Sequence, residues 1–170
     1  KNVPRQRMLE VAEHYYSFGG VSPINDQTRT FMAALRKELD AHDIALPIYW
    51  GNRNWHPFLV DEMRKMASDG IRYALAYVTS AYSSYSGCRQ YLENIEAARA
   101  EMGPGAPRID KLRVFFNHPC FIDALASRVS DALQKIPKPR VPDARVLYTA
   151  HSIPITMSNT CDYVIQLQET

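Results

Sequence analysis

Apolar and polar positions along the chain mostly repeat at helical spacing, interrupted by short runs that are apolar throughout. Met8, Val11, Ala12 and Tyr15 share one face of a helix predicted from Arg5 to Phe18, with Gly19-Gly20 as its stop. Ser22-Pro23 opens a second helix, which packs through Thr28, Phe31, Met32, Leu35 and Leu39 as far as about Asp40. Ile44 to Trp50 reads as a short strand. Pro47 within it suggests an edge or a strand start. After the polar loop Gly51–Pro57 comes a helix with Leu59, Met63, Met66 and Ala67 inward, ended by Gly70.

Arg72 to Val78 is nearly all apolar, the signature of a strand covered on both faces. It leaves through a loop dense in hydroxyls, Thr79 to Cys88. A helix from Arg89 to Met102 follows, with Tyr91, Leu92, Ile95, Ala98 and Met102 aligned. Gly103-Pro-Gly-Ala-Pro107 breaks it. Leu112 to Phe116 is the next strand, Phe121 to Gln134 the next helix, and Lys135 to Pro142 a proline-rich connector. Ala144 to Ala150 is then a buried strand that ends at His151-Ser152. Asn159 or Thr160 can cap a last helix.

Two helices followed by alternating strands and helices predict one α/β domain. Its form is a Rossmann-like, three-layer sandwich with a parallel sheet of about four strands flanked by helices on both faces. Parallel strands place their exits, at Gly51, Thr79, Asn117 and Ala150, along one edge. Arg53, Asn54, His56, Tyr82, Ser83, Tyr85, His118 and His151 can meet there, where open α/β sheets bind ligands.

Composition narrows the chemistry. The 170 residues are 46% hydrophobic and 22% charged, ordinary for a globular protein, and the net charge of +2 is too small to argue for a membrane surface or for nucleic acid, so no nucleic-acid partner is expected. No run approaches a membrane span, and no signal peptide is legible, although Lys1 is not a natural start and upstream residues could carry one. Cys88, Cys120 and Cys161 lack Cys-x-x-Cys spacing, so they make no self-contained zinc or cluster site. Free thiols suit a reducing cytoplasm. No glycine-rich phosphate loop follows a strand, which argues against a nucleotide. No Gly-x-Ser-x-Gly elbow is present either, and Ser152 is too close in sequence to pair with His151 as a nucleophile.

What remains is an imidazole at a strand end, a wall of tyrosines and serines, and Arg53. Imidazole accepts a proton near neutrality or binds a transition metal. Tyrosines offer flat apolar area with a polar tip, and Arg53 with the helix start at Ser22 can hold carboxylates. The set suits a large, flat, polyanionic ligand that exchanges protons or a metal. Tyr82, Tyr85 and Tyr91 serve equally well as packing or as cleft lining.

Four stretches, Gly19-Gly-Val-Ser-Pro-Ile24, Gly51-Asn-Arg-Asn-Trp-His-Pro57, Ala81-Tyr-Ser-Ser-Tyr-Ser86 and Thr149-Ala-His-Ser-Ile-Pro154, resemble ferrochelatases in order and spacing. The wording is similar to the branch found in actinobacteria and their relatives, and the resemblance covers essentially the whole chain. It implies insertion of Fe2+ into protoporphyrin IX or coproporphyrin III in haem biosynthesis, a lyase-class reaction. His151 takes the place of the active-site histidine that binds iron, removes pyrrole protons, or both. Ser22 matches a serine on a porphyrin propionate. Arg53 and Asn54 match a pair near the metal, often Arg-Tyr, so Asn54 departs from the pattern. Tyr91 matches a cleft tyrosine, with Gln90 the alternative.

The resemblance further implies that residues 1–170 are the first of two chelatase-like domains. They lack the family's first strand, with its cleft tyrosine and propionate-binding arginines, and the second domain, with its glutamate opposite the histidine. Some members carry a [2Fe-2S] cluster on one cysteine from this half and three near the C-terminus. Cys120 is the candidate for that ligand, Cys88 the second choice, and ordinary free thiols the alternative. A cytoplasmic location follows, with peripheral membrane contact left open. Two other readings stand beside this one: a catalytically incomplete tetrapyrrole-binding half-domain, and an unrelated Rossmann-like binding domain.

Overall fold

The computed structural model describes residues 3–170, which fall into two compact units divided between Tyr49 and Trp50. The first holds helices α1 (Arg5–Tyr16) and α2 (Ile24–Ala41). Helix α1 stops as its glycines require: Gly19 and Gly20 have φ of 88° and 79°, and the Gly20 N–H reaches back 2.8 Å to the Tyr15 carbonyl. Its expected packing face is not buried, however. Met8 remains 53% exposed and Tyr15 44%, because a two-helix unit of this length has too little chain to cover it. At the start of α2 the Ser22 hydroxyl accepts from the Ile24 N–H at 3.4 Å, and the Pro23 carbonyl already accepts from Gln27.

The strand expected at Ile44–Trp50 does not form. Arg36 of α2 donates to the Ile44 and Leu46 carbonyls at 2.7 and 2.6 Å while pairing with Asp40. A guanidinium, rather than a neighbouring strand, satisfies that backbone.

In the second unit, α3 (Leu59–Ser68), β1 (Tyr73–Ala76), α4 (Gln90–Met102) and β2 (Arg108–Lys111) make a βαβ arrangement with α3 beside α4. The two strands are parallel, Ala74 opposite Ile109 and Leu75 opposite Asp110. On one face Ala74, Ala76 and Ile109 meet Met63 of α3 and Ile95 and Ala98 of α4, and Met63 is wholly buried. The 3.6-residue spacing of Leu59, Met63, Ile95, Ala98 and Met102 is what turns these helices onto the sheet. The other face is open. Tyr73 and Leu75 are 53% and 55% exposed, and Tyr73 donates to Asp110, which also pairs with Arg108. Burial on both faces of β1 was therefore the wrong expectation; the strand alternates instead.

The sheet has two strands where about four were expected. Beyond Ile44–Trp50, β2 lies four residues upstream of Leu112–Phe116, because Ile109 supplies the inward position and Leu112 adds one further bond to the Ala76 carbonyl. Ala144 to Ala150 forms no strand, and among the described residues 145–153 make no backbone–backbone hydrogen bond. Leu147 and Tyr148 stand 86% and 84% exposed. An apolar, extended segment needs a partner edge to become a strand.

Helix α5 (Pro119–Leu133) is capped by His118, whose Nδ1 accepts from the Cys120 N–H, with Pro119 in the first turn. A turn of tighter helix covers Lys138–Asp143, and α6 (Ile155–Ser158) and α7 (Tyr163–Glu169) follow. Helix α7 begins after Asp162 rather than at Asn159 or Thr160. No helix among the described residues is long and apolar enough to cross a membrane.

Candidate functional site

The loop after β1 is held largely by its own hydroxyls. Ser84 Oγ accepts from the Gly87 N–H at 2.9 Å, and the Ser84 carbonyl accepts from Cys88. Ser80 Oγ donates to the Tyr82 carbonyl. Tyr85–Arg89 is a single π turn, closed by the Gln90 N–H on the Tyr85 carbonyl. Such wide turns recur at functional sites. Gly87 is required for close approach. A Cβ there would lie 2.7 Å from Ser80 Oγ and 3.1 Å from Ser84 Oγ.

The Gly51–Pro57 motif meets this loop through Arg53. Its guanidinium donates to the Ser86 carbonyl at 3.1 Å and lies 5.1 Å from the centre of the Tyr91 ring. Gly51 lets the motif close on α3, since a Cβ would come within 2.8 Å of Leu59 Cα. The Asn52 carbonyl accepts from the Leu59 N–H, and Asn52 Nδ2 donates to the His56 carbonyl. Tyr85 donates to Glu93 at 2.8 Å, and that hydrogen bond, with the carboxylate's charge and some burial, raises the phenol above its ordinary value. Beside Tyr85 a recess of about 340 Å³ is lined by Ser83, Ser84, Cys88, Arg89 and Cys161 among others.

His151 is exposed, and its Nδ1 lies 2.6 Å from the Ser152 carbonyl. A carbonyl only accepts, so Nδ1 carries the hydrogen, and a neutral ring then has its lone pair on Nε2, free to take a proton or a metal. The Tyr163 hydroxyl donates to the His151 carbonyl at 3.0 Å, and the Tyr163 ring meets Tyr82 edge-on at 6.0 Å. Tyr82 in turn contacts Phe121. Ser83 is fixed by Gln166, whose Oε1 accepts from its backbone N–H at 2.7 Å and its hydroxyl at 2.8 Å.

The structure thus draws Arg53, Tyr85 and Tyr91 around the π turn, and links Tyr82 to the His151 turn through Tyr163. Asn54 is exposed on the same motif, His56 packs its ring on Phe58 at 4.4 Å, and His118 serves as a helix cap. Ser22 belongs to the first unit. Sequence reasoning missed Tyr163 and Gln166. Their three-residue spacing after Asp162 was the available signal, hidden because the last helix was expected to start earlier.

Cys120 is exposed in the first turn of α5, while Cys88 and Cys161 are half-buried. Among the described residues no three His, Cys, Asp or Glu side chains gather as a metal site. A [2Fe-2S] cluster needs four ligands, so these residues by themselves do not fit one.

A parallel two-stranded sheet with α3 and α4 packed on one face and a polar loop at the exit of β1 defines an α/β domain. The comparisons make this specific. The ferrochelatase family model matches residues 1–170, and the chain belongs to the ferrochelatase family. It is 58% identical over 170 residues to a ferrochelatase of Rhodopirellula baltica, covering 100% of this chain and 48% of that one. Coproporphyrin III ferrochelatases of Nocardia farcinica and Mycolicibacterium smegmatis are 52% and 45% identical over 91% and 95% of this chain, and 44% and 47% of theirs. The chain spans about half the length of the curated relatives it matches.

Proposed function

We propose that the protein carrying this chain inserts Fe2+ into a porphyrin, with His151 as proton acceptor and metal ligand. The observation that carries the proposal is the family match over all 170 residues. The reaction balances without an oxidant or nucleotide: the porphyrin gives up two pyrrole protons and takes one Fe2+. In this reading residues 1–170 are the first chelatase-like domain, and the extended Ala144–Ala150 segment adds a further strand to the sheet in the whole protein, toward the expected total of about four. The protein works in the cytoplasm.

The chemistry assigns each residue a task. His151 Nε2, bare while Nδ1 is tied to Ser152, receives a pyrrole proton or meets the incoming ion. Tyr82, Tyr85 and Tyr91 offer ring faces and edges to the macrocycle. By the family resemblance Ser22 takes a propionate, and Arg53 and Asn54 take the region near the metal. A rigid cleft bends the macrocycle at the expense of binding energy, which lowers the barrier to metal entry. Coproporphyrin III, the substrate in the names of several relatives, is the first porphyrin to test, with protoporphyrin IX second.

The test is anaerobic porphyrin titration with and without ferrous iron, followed by the Soret band. The protein converts one of the two porphyrins to its iron complex. His151→Ala abolishes conversion while circular dichroism stays unchanged. Near-normal insertion by that variant removes the role of His151, and absence of insertion with either porphyrin in the whole protein removes the function.

A further inference from the structure

Helix α7 makes contacts that the candidate site residues do not account for. Gln166 is buried, at 7% exposure, on an otherwise open surface. A buried amide is costly unless bonded, and its Oε1 takes two hydrogen bonds from Ser83. One turn earlier, Tyr163 donates to the His151 carbonyl and sets its ring edge against Tyr82. Residues three apart lie on the same face of a helix. One face of α7 therefore touches both the His151 turn and the hydroxyl loop. At its end, Thr170 Oγ1 donates to the Phe116 carbonyl, fastening the helix to the chain after β2.

The His151 turn needs such a fastening. Residues 145–153 have no backbone–backbone hydrogen bond among the described residues, so the bonds that hold the imidazole within this chain come from side chains. The Tyr163 hydroxyl holds the carbonyl of His151, and the ring itself holds the next one through Nδ1. With both carbonyls engaged, the direction of Nε2 is determined. We propose that Tyr163 and Gln166 are positioning residues, through which α7 braces the His151 turn against the hydroxyl loop and fixes where Nε2 points. What the brace serves rests on the metal-insertion reading; its geometry does not.

Two variants of the whole protein carrying this chain test the brace. Tyr163→Phe keeps the ring on Tyr82 and removes the bond to His151. It lowers kcat for iron insertion roughly ten- to a hundredfold, the cost of a misplaced catalytic group. The porphyrin KM stays within about twofold. Gln166→Leu frees Ser83 instead and acts mainly on KM. A merely structural role would move both variants alike, through stability. The imidazole nitrogen resonances give a readout apart from activity. Nδ1 carries the hydrogen in the parent, and Tyr163→Phe shifts His151 toward a mixture of tautomers. An unchanged His151 spectrum with parent kinetics in Tyr163→Phe overturns the brace while leaving metal insertion intact. A shifted spectrum in a protein that inserts no metal upholds the brace and removes the function. If Tyr163→Phe fails to fold, Gln166→Leu decides: an unchanged KM overturns the brace and a raised KM with near-parent kcat supports it.

Discussion

The hydroxyl loop Ser80–Arg89, taken with the Arg72–Val78 run before it, and the segment Ala144–Pro154 carry the same signal in sequence, a run rich in apolar residues ending in polar ones. They fold by different means. The first follows a strand that finds a partner, and its serines then close the exit on themselves: Ser84 takes Gly87, Ser80 takes Tyr82, and Gln166 takes Ser83. The second has the apolar pattern of a strand and no partner edge, so Leu147 and Tyr148 face outward. Its anchorage comes from a side chain, Tyr163. Short side-chain bonds can therefore fix a loop locally, whereas a strand is a property of the pair and not of the sequence that proposes it.

That contrast is broken most directly at Gly87. The loop is packed so closely there that a methyl group would sit 2.7 Å from Ser80 Oγ and 3.2 Å from Ser80 Cβ. Gly87→Ala should cost about 1–3 kcal/mol, the usual penalty for overpacking, read as a lowered denaturation midpoint. It should also disturb the Arg53 contact to the neighbouring Ser86 carbonyl. A neutral substitution would mean that the loop is as loosely held as Ala144–Pro154.

Leu147→Ala is the matching change in the other region, and the smaller one. At 86% exposure the side chain has little burial to lose within residues 1–170, so the stability of this stretch by itself should move by no more than about 0.5 kcal/mol. A buried strand leucine would cost about 2–5 kcal/mol. A loss of that size, measured in the whole protein, would show that Ala144–Ala150 is a covered strand there.

The same contrast explains what was readable beforehand. The helices were, because Met63, Ile95 and Ala98 recur on one face and bury together. Strand β2 was misplaced because Arg108, Asp110 and Lys111 mask the single inward Ile109. The more apolar Leu112–Phe116 drew attention instead. Its Phe115 uses its ring against Tyr77, 5.2 Å away, rather than extending the ladder. At the site the residue types were legible and the pairings were not. Arg53 over Tyr91 joins positions 38 apart in the chain, and no local pattern announces such a contact. Tyr163 and Gln166 escaped because they act through carbonyls and a backbone N–H, which leave no mark on composition.

The smallest expected effect concerns how firmly the π turn is tied to α4. Tyr85 donates to Glu93, and that bond, followed by the carboxylate's charge and some burial, raises the phenol above its ordinary value near 10. The folded state thus favours the protonated phenol more than the unfolded chain does. The resulting stability is fully present below the unfolded value and is lost as pH rises through the higher folded one. Tyr85→Phe lacks this contribution at every pH. The stability gap between parent and variant should therefore be constant through neutral pH and narrow above about pH 10, where the unfolded phenol begins to ionise. Because the side chain is exposed, the gap itself should be small. A gap that stayed level into strong alkali would mean that Tyr85 and Glu93 are not bonded in solution. The side-chain tie between the π turn and α4 would then rest on the Arg89–Glu93 pair, beside the backbone bond from Gln90 to the Tyr85 carbonyl.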